Sequence, residues 1–252
     1  MALKQRIFAF TDCDDSLFQT EGKCPPGTEL ALAATDRSGR PLSFFTPQQR
    51  LLLAMFDQVT LIPVTGRNSP TLERVVDVAF PDYRIVSHGA LVLDKSHGID
   101  GQWADRYGAD WVRWQAHMQA ACRVVGEAID HQGLSARCRI IRDREVPVYV
   151  SIKCQPGAED DLPVLGRAVA DHWPGRIHHN GRNMALLPPY ADKARAVAFV
   201  MERLRSRCVE PPLFLGLGDS LSDLPFMKLC HFALVPRQSQ IVERTWHEER
   251  DS

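Results

Sequence analysis

The sequence lacks the cysteine pattern of a disulfide-rich or zinc-binding protein. Its seven cysteines include no C-x-x-C pair, and their odd number fits a reduced compartment better than a disulfide framework. No apolar run approaches the ~20 residues needed to span a bilayer. Asp12 follows the N-terminus too closely to leave room for a signal peptide ahead of it. We therefore expect a cytoplasmic protein with no membrane partner.

An excess of charge of either sign is also missing. Lysine and arginine number 30 and aspartate and glutamate 31, so no overall field favours nucleic acid or an anionic membrane. The hydrophobic fraction of 44% is ordinary for a soluble globular chain and argues against disorder. A chain of 252 residues has room for one large α/β domain, or for a core with a smaller insert. Any positively charged site must therefore be local.

Short apolar runs alternate with helix-like segments in the first and last parts of the chain. The runs at 7–11, 59–64 and 213–217 end in polar loops, which is typical of buried parallel strands. Helix starts such as Thr46-Pro47 precede the helix-like segments. This alternation predicts an α/β protein with a doubly wound, Rossmann-like parallel sheet. The other elements predicted here are helices at 48–57, 69–80 and 191–206, a hairpin joining 30–35 to 41–45, a short helix capped by Ser222, and a last strand at 232–235.

The middle of the chain has a different pattern, in which a helix is followed by two strands and the whole pattern occurs twice. This arrangement predicts an antiparallel sheet with two helices on one face. We interpret residues 89–187 as an inserted α+β domain, and residues 1–88 and 188–252 as the core. The predicted elements of the insert are a helix at 109–132 with strands at 135–141 and 146–153, then a helix at 159–172 with strands at 176–179 and 183–187.

Three loops follow the predicted core strands and carry the polar residues. They span 12–16 (Asp-Cys-Asp-Asp-Ser), 65–67 (Thr-Gly-Arg) and 218–223 (Gly-Asp-Ser-Leu-Ser-Asp). In open α/β sheets, ligands bind outside the carboxyl ends of the strands. We therefore expect the three loops to meet at one crevice.

The carboxylates of these loops predict a metal site. Several carboxylates at one place repel one another unless a cation lies among them, and hard oxygen ligands favour Mg²⁺. We expect Asp12 and Asp219 to bind the metal directly, with the backbone carbonyl of Asp14 as a third ligand. Asp223 either binds directly or orients a metal-bound water.

The same residues suit phosphoryl transfer, which needs a nucleophile and groups that neutralise the phosphoryl oxygens. An aspartate can attack phosphorus and form an aspartyl-phosphate, and a second can protonate the leaving alkoxide and then activate water. The hydroxyl of Thr65 and the neighbouring Gly66 lie near a helix start, where N–H groups favour anions. Lys193 can pair with the phosphoryl oxygens.

In order and spacing, these three loops together with Lys193 resemble the four motifs of the haloacid dehalogenase-like hydrolase superfamily. The resemblance covers the whole predicted core. It implies that Asp12 is the nucleophile and Asp14 the general acid and base. The roles that it implies for the remaining residues are phosphoryl binding by Thr65 and Lys193, and Mg²⁺ binding by Asp219 with support from Asp223.

The insert lies between Thr65 and Lys193, and its doubled pattern is similar to the type-two cap of Cof-like, sucrose-phosphate and mannosyl-phosphoglycerate phosphatases. Many of these proteins have Asn-Gly-Ala where this chain has His88-Gly89-Ala90, so the role of His88 stays open. Polar residues at strand ends and turns of the insert suit a polyhydroxylated or acidic leaving group. They are Arg142, Arg144, Lys153, His178, Asn180 and Arg182.

Together these features predict a Mg²⁺-dependent phosphatase that hydrolyses a small phosphorylated metabolite, with a sugar phosphate or phosphorylated polyol as the first choice. A nucleotide or cofactor phosphatase and a non-catalytic sugar-phosphate-binding protein stay open as alternatives.

Cys13 is interpreted as a filler and not a nucleophile, because neighbouring negative charge raises the pKa of a thiol and weakens it as a nucleophile. His178 and His179 point to opposite faces of a strand and are not expected to bind zinc together. The sequence predicts no particular oligomeric state.

Overall fold

A computed structural model describes residues 6–246 and confirms the predicted fold class. Its strands, in chain order, are β1 (Ile7–Thr11), β2 (Gln19–Thr20), β3 (Ala31–Thr35), β4 (Pro41–Phe45), β5 (Thr60–Pro63), β6 (Arg84–Val86), β7 (Leu91–Leu93), β8 (Ala136–Asp143), β9 (Val146–Cys154), β10 (Arg176–Asn180), β11 (Asn183–Leu187), β12 (Leu213–Leu217) and β13 (Phe232–Leu234). Its α-helices are α1 (Pro47–Met55), α2 (Ser69–Leu72), α3 (Gly101–Gln132), α4 (Asp161–Ala170), α5 (Lys193–Arg205), α6 (Leu224–Met227) and α7 (Gln240–Trp246). Short 3₁₀ turns lie at Glu21–Lys23 and Ser87–Gly89.

The chain divides into two compact units. The first consists of the residues up to Asp100 and those from Asp192 onwards, and the second is Gly101–Ala191. The hairpin of β6 and β7, which the sequence analysis did not foresee, belongs to the first unit. Assignment of residues 89–187 to a separate domain stays a prediction.

A four-stranded parallel sheet forms the centre of the first unit, in the order β13-β12-β1-β5. Phe10 of β1 is paired with Gly216 of β12 on one side and with Ile62 of β5 on the other. The chain builds outward from β1 to β5 and later returns to the opposite side of β1. This reversal is the switch point of a doubly wound sheet, and the loops after β1, β5 and β12 leave its carboxyl edge together.

Aromatic packing anchors the central strands. Phe8 and Phe10 of β1 are buried, and their ring centroids lie 6.0 and 5.8 Å from that of Phe214 in β12. Such pairs stabilise a fold by about 0.5–1.5 kcal/mol beyond the burial of their area. The strand that precedes Asp12 is therefore packed firmly against β12.

The helix starts of the first unit were predicted with mixed success. Thr46 forms the expected capping box with Gln49. α2, however, is capped by Asn68 and ends at Leu72 instead of near residue 80, so that prediction was wrong in length. The chain leaves the helix because its backbone bonds to the edge of β3: Val76 N–H donates to the carbonyl of Ala33 at 2.8 Å.

The predicted cap of the short helix after β12 was also wrong. α6 begins after Asp223, not after Ser222, and the Asp223 side chain forms no capping hydrogen bond. Its carboxylate turns to Lys193 and Ser220 instead. The last described helix, α7, ends at Trp246, and the residues after it lie outside the described range.

The second unit contains an antiparallel sheet in the order β10-β11-β9-β8. The doubled pattern of one helix and two strands is confirmed, although α3 begins at Gly101 and not at residue 109. Alternate residues of β9, Val148, Val150 and Ile152, are buried. Trp114 of α3 packs edge-on against Trp173 with centroids 5.4 Å apart. Within residues 6–246, no helix is both long and apolar enough to cross a membrane.

Candidate active site

Asp12 directly follows β1 at the carboxyl edge of the parallel sheet. Its backbone N–H donates to the carbonyl of Leu217 at 2.8 Å, and its side chain is 9% exposed. Burial raises the pKa of Asp12 well above its usual range, and the nearby carboxylates of Asp223 and Asp219 add to this. The positive charge of Lys193 acts in the opposite direction. The anionic form of Asp12 is thus costly in this environment unless further positive charge is present.

Lys193 is the first residue of α5 and bridges two carboxylates. Its Nζ atom lies 2.7 Å from Oδ1 of Asp12 and 2.7 Å from Oδ1 of Asp223. Burial lowers the pKa of Lys193, but the two carboxylates outweigh this and raise it above its ordinary value. The ammonium group therefore stays charged, with two of its three donors directed at carboxylates.

Asp223 is fully buried, and hydrogen bonds hold both of its oxygens. Oδ2 accepts from the N–H of Ser220 at 3.0 Å and from its hydroxyl at 2.7 Å. Burial by itself raises the pKa of Asp223, but Lys193 and these bonds lower it overall. A Cβ atom on Gly218 would lie 2.5 Å from Cβ of Asp223, so this position requires glycine for the loop to close around the carboxylate.

The carboxylates of Asp12, Asp219 and Asp223 form a cluster, with one oxygen of each lying within 4.8 Å of the others. Asp219 accepts a hydrogen bond from the hydroxyl of Ser16 at 3.2 Å. Burial, together with the charge of Asp223, raises the pKa of Asp219 to about 6. Three carboxylates share one lysine, which leaves a deficit of positive charge that a divalent cation would correct. Oxygen donors of this kind fit Mg²⁺.

Asp14 faces a different partner. Arg67 donates from Nε to Oδ2 of Asp14 at 2.8 Å and from Nη2 to Oδ1 at 2.6 Å. The Arg67 side chain is 7% exposed and that of Asp14 is 45% exposed. The guanidinium also lies over the ring of Phe18, 4.9 Å from its centroid. The carboxylate of Asp14 is therefore held away from the cluster of Asp12, Asp219 and Asp223, and its predicted backbone contact with a metal stays a prediction.

Thr65 and Gly66 form the turn after β5. The hydroxyl of Thr65 accepts from the N–H of Arg67 at 3.0 Å, and Thr65 N–H donates to the carbonyl of Ile85 at 3.0 Å. Thr65 is buried. The same hydroxyl forms a side-chain hydrogen bond with the thiol of Cys13, so donation to a phosphoryl oxygen would replace that bond.

His88 lies against this turn. A Cβ atom on Gly66 would lie 2.6 Å from Cε1 of the imidazole, and His88 N–H donates to the carbonyl of Thr65 at 2.9 Å. Ser87 and His88 have φ values of 53° and 59°, a left-handed conformation that is uncommon for such residues. Gly89 follows at φ 87°, and a Cβ there would lie 2.5 Å from the Asp192 backbone. The turn thus connects the Thr65 loop to the start of α5.

Cys13 is buried between the two aspartates. Burial raises the pKa of its thiol, and the negative charges of Asp12 and Asp14 raise it further. The thiol therefore stays protonated, as its interpretation as a filler requires. That His178 and His179 do not bind zinc together stays a prediction.

Of the insert residues expected to contact the leaving group, Lys153 has the best-defined surroundings. It is paired across the sheet with Arg137 of β8 and Asn183 of β11. Burial lowers the pKa of Lys153, and the positive charges of Arg182 and Arg137 lower it further. This part of the second unit is a local concentration of positive charge in a chain that is otherwise close to neutral.

Comparison with solved structures identifies this architecture. The structure is similar to the sucrose-phosphatase of Synechocystis sp. PCC6803 in complex with sucrose and phosphate, at 18% identity and a TM-score of 0.56 over 98% of this chain and 89% of that one. The likeness shows the fold alone, a parallel α/β core into whose chain an α+β unit is inserted. The structure is also similar to the C-terminal domain of the C. albicans trehalose-6-phosphate phosphatase, at 14% identity and a TM-score of 0.53 over 98% of this chain and 77% of that one.

A third similar structure is the N-terminally truncated, IMP-bound IMP-nucleotidase of Plasmodium falciparum. Its identity is 9% and its TM-score 0.54, over 95% of this chain and 66% of that one. No family model and no curated protein sequence matches the chain. At these identities the likeness shows the fold alone, and the chemistry has to be argued from the side chains.

Within the first unit, the structure brings Asp12, Lys193, Asp219 and Asp223 into one cluster and places Thr65 and Gly66 in the turn after β5. The sequence analysis gave no role to three residues that complete the arrangement. Ser16 binds Asp219, Ser220 binds Asp223, and Arg67 binds Asp14. All three lie inside the loops that the sequence analysis singled out, so their positions suggested a role in the site. The sequence did not show which residues they would bind.

Proposed function

We propose that this protein is a Mg²⁺-dependent phosphoric monoester hydrolase that acts through an aspartyl-phosphate intermediate. The observation that carries the proposal is the buried cluster in which Lys193 bridges Asp12 and Asp223 while Asp219 lies within 4.8 Å. A nucleophile, a fixed cation and carboxylates that could hold a metal thus lie together at the carboxyl edge of a parallel sheet. Similarity to three phosphatase structures agrees with this chemistry.

Asp12 is the proposed nucleophile. Its carboxylate attacks phosphorus, a bond forms between Oδ and phosphorus, and the bond from phosphorus to the leaving oxygen breaks. Lys193 and the Thr65 hydroxyl donate to the phosphoryl oxygens. The lysine ammonium already contacts Asp12 at 2.7 Å, so it needs no rearrangement to meet the transferring group.

Asp14 is the proposed general acid and base. It gives a proton to the leaving alkoxide and then accepts one from the water that hydrolyses the intermediate. Arg67 contacts both oxygens of Asp14, so proton transfer requires one of these bonds to open. The half-exposed position of Asp14 suits contact with both a leaving group and water.

The proposed metal ligands are Asp12 and Asp219, with the backbone carbonyl of Asp14 as a third and Asp223 in support. Mg²⁺ would supply the positive charge that the cluster lacks and would polarise the phosphoryl group. The fit rests on the raised pKa values of Asp12 and Asp219, because burial and the neighbouring carboxylates disfavour the charged form of both, and a cation would offset this.

The proposed substrate is a small sugar phosphate or phosphorylated polyol. Two of the similar structures are phosphatases of sucrose phosphate and trehalose 6-phosphate, and Lys153 with its neighbours offers polar contacts in the second unit. The likeness to an IMP-nucleotidase keeps a nucleotide monophosphate as the second candidate. We propose a cytoplasmic location.

The first test is hydrolysis of p-nitrophenyl phosphate with Mg²⁺ or with EDTA, using Asp12→Asn as the background control. We expect Mg²⁺-dependent turnover that this variant lacks. Turnover no higher than that of Asp12→Asn would leave the alternative of a non-catalytic sugar-phosphate-binding protein. A panel of sugar phosphates and nucleotides, read by phosphate release, then separates the two substrate classes.

A further inference from the structure

Cys122 and Cys138 bring two sulfur atoms together in the second unit, far from the candidate active site in sequence. Cys122 lies on α3 and Cys138 on β8, an edge strand of the antiparallel sheet. Their Sγ atoms are 3.3 Å apart, with the thiol of Cys138 donating to the sulfur of Cys122. Both are free thiols. Within residues 6–246, no other cysteine shares a sulfur–sulfur contact of this kind.

We propose that Cys122 and Cys138 are a redox modification site that forms a reversible disulfide between α3 and β8 when a peroxide is the oxidant. The proposal does not depend on the hydrolase activity. It predicts a covalent change that is measured directly on the purified chain.

The positions of the two side chains permit the bond. A disulfide has an S–S length of about 2.05 Å, so the sulfurs must approach by about 1.2 Å. Rotation of two side chains on fixed elements covers such a distance. The helix and the strand are close already, because the connection between them is short and is fixed by the N–H of Leu134 donating to the carbonyl of Ile129 at 3.0 Å.

An oxidant can reach Cys122. Both cysteines are half-buried and not sealed in the core. Gly126 lies one turn further along α3, on the same face as Cys122, and a Cβ there would meet nothing within 4 Å. The missing side chain leaves open space one turn along the helix from Cys122, and the partial exposure of both thiols gives a small oxidant access to them.

The hydrogen bond between the thiols assigns their chemical roles. It lowers the pKa of Cys122, which accepts, and raises that of Cys138, which donates. The thiolate of Cys122 attacks one peroxide oxygen, the O–O bond breaks, and uptake of a proton gives a sulfenic acid and water. The sulfur of Cys138 then attacks the sulfenic sulfur, the S–O bond breaks, and its proton leaves in a second water. Two thiols and one peroxide thus give one disulfide and two waters.

Other cysteines of the chain serve as internal controls. Burial raises the pKa of Cys230 to about 12, so its thiolate is scarce at neutral pH. Burial and two aspartates raise the pKa of Cys13 as well. Neither has a second sulfur to complete a disulfide. Mild oxidation is therefore expected to be selective for Cys122 and Cys138.

The experiment treats the reduced full-length chain with a small molar excess of hydrogen peroxide. We expect the intact mass to fall by about 2 Da, for the two hydrogens lost. Two of the seven thiols should become unreactive to maleimide. Cleavage after Glu127, which separates the two cysteines, should give a linked peptide pair that a dithiol reductant splits.

Three serine variants separate the roles of the two thiols. Cys208→Ser, at a cysteine without a sulfur partner, should oxidise like the parent chain. Cys138→Ser should stop at the sulfenic acid of Cys122, which dimedone traps, and Cys122→Ser should show neither product. The proposal is overturned if peroxide leaves both thiols reactive while others oxidise, or if the mass loss persists in Cys122→Ser.

Discussion

In the loop after β1, Asp12 and Asp14 have contrasting surroundings, although only one residue separates them. Asp12 is buried, faces two other carboxylates and is held by a lysine that it shares with Asp223. Asp14 is half-exposed and accepts hydrogen bonds from two nitrogen atoms of the Arg67 guanidinium. A nucleophile and a group that exchanges protons with a leaving group and water need such different environments. Local environment, more than residue type, therefore separates the two proposed roles.

The strongest test of this contrast is Asp12→Asn. The amide keeps the volume and the hydrogen bond from Lys193 but cannot attack phosphorus, so kcat should fall by about 10⁴-fold or more. Steady-state hydrolysis of p-nitrophenyl phosphate and of an alkyl phosphate should show the same loss. If the variant keeps more than about one per cent of the parent activity, the assignment of the nucleophile is wrong.

Asp14→Asn should slow the hydrolysis of two substrates to different extents, whereas Asp12→Asn should slow both equally. Removing a general acid and base lowers rates by about 10²- to 10⁴-fold, and the loss should be larger for an alkyl phosphate because its leaving oxygen needs a proton more than p-nitrophenolate does. The ratio of kcat/KM between the two substrates measures this. An equal loss for both would assign Asp14 to the second half-reaction alone.

Arg67→Lys should have a smaller effect. Lysine keeps the charge but cannot bind both carboxylate oxygens in a fixed fork, so Asp14 should be poorly oriented and kcat should fall by about 10- to 100-fold. As a positioning residue, Arg67 should also affect the pH profile of kcat. The matched control is Arg40→Met, which breaks the exposed pair with Asp36 and should leave turnover unchanged.

The smallest expected effect is on the thermal stability of the chain and concerns Asp219. The pKa of Asp219 is raised to about 6, from an ordinary value of about 3.9, so the folded chain binds this proton more tightly than the unfolded chain. The contribution of Asp219 to stability is therefore present below about pH 4 and is lost as the pH rises through about 6. In EDTA, Asp219→Asn should thus have a higher Tm than the parent chain at pH 7.5.

That advantage of Asp219→Asn should shrink as the pH is lowered towards 5, which thermal melts followed by circular dichroism will show. Mg²⁺ should raise the Tm of the parent chain and have much less effect on the variant, since a ligand that binds the folded state stabilises it. A variant that melts below the parent chain in EDTA at pH 7.5 contradicts the inferred shortage of positive charge.

Sequence patterns predicted the elements that depend on local chemistry. β12 was predicted residue for residue, because its apolar run has clear polar limits, and the hairpin of β3 and β4 follows from the turn between them. α2 was predicted too long because backbone bonds to β3 replace its later turns. β6 and β7 were missed because three residues are too few for a periodic pattern.

The same limit applies to the site. The motifs identified Asp12, Lys193 and Asp219, because each has a fixed place at the end of a strand or the start of a helix. The pairing of Arg67 with Asp14 depends on how closely two loops approach, and no local pattern records that distance. Likewise, the sequence predicted that Lys193 binds a phosphoryl group, but only the structure shows that it bridges the carboxylates of Asp12 and Asp223.

The bond between Lys193 and Asp12 joins residues 181 positions apart, and this separation has a consequence for how the protein is made. Contacts between distant residues slow folding, because chain entropy must be lost before they form. During synthesis, β1 and Asp12 emerge long before α5 and β12. The neutralising cation of the site therefore arrives long after Asp12, so a translating ribosome carries an incomplete site until Asp223 has been made.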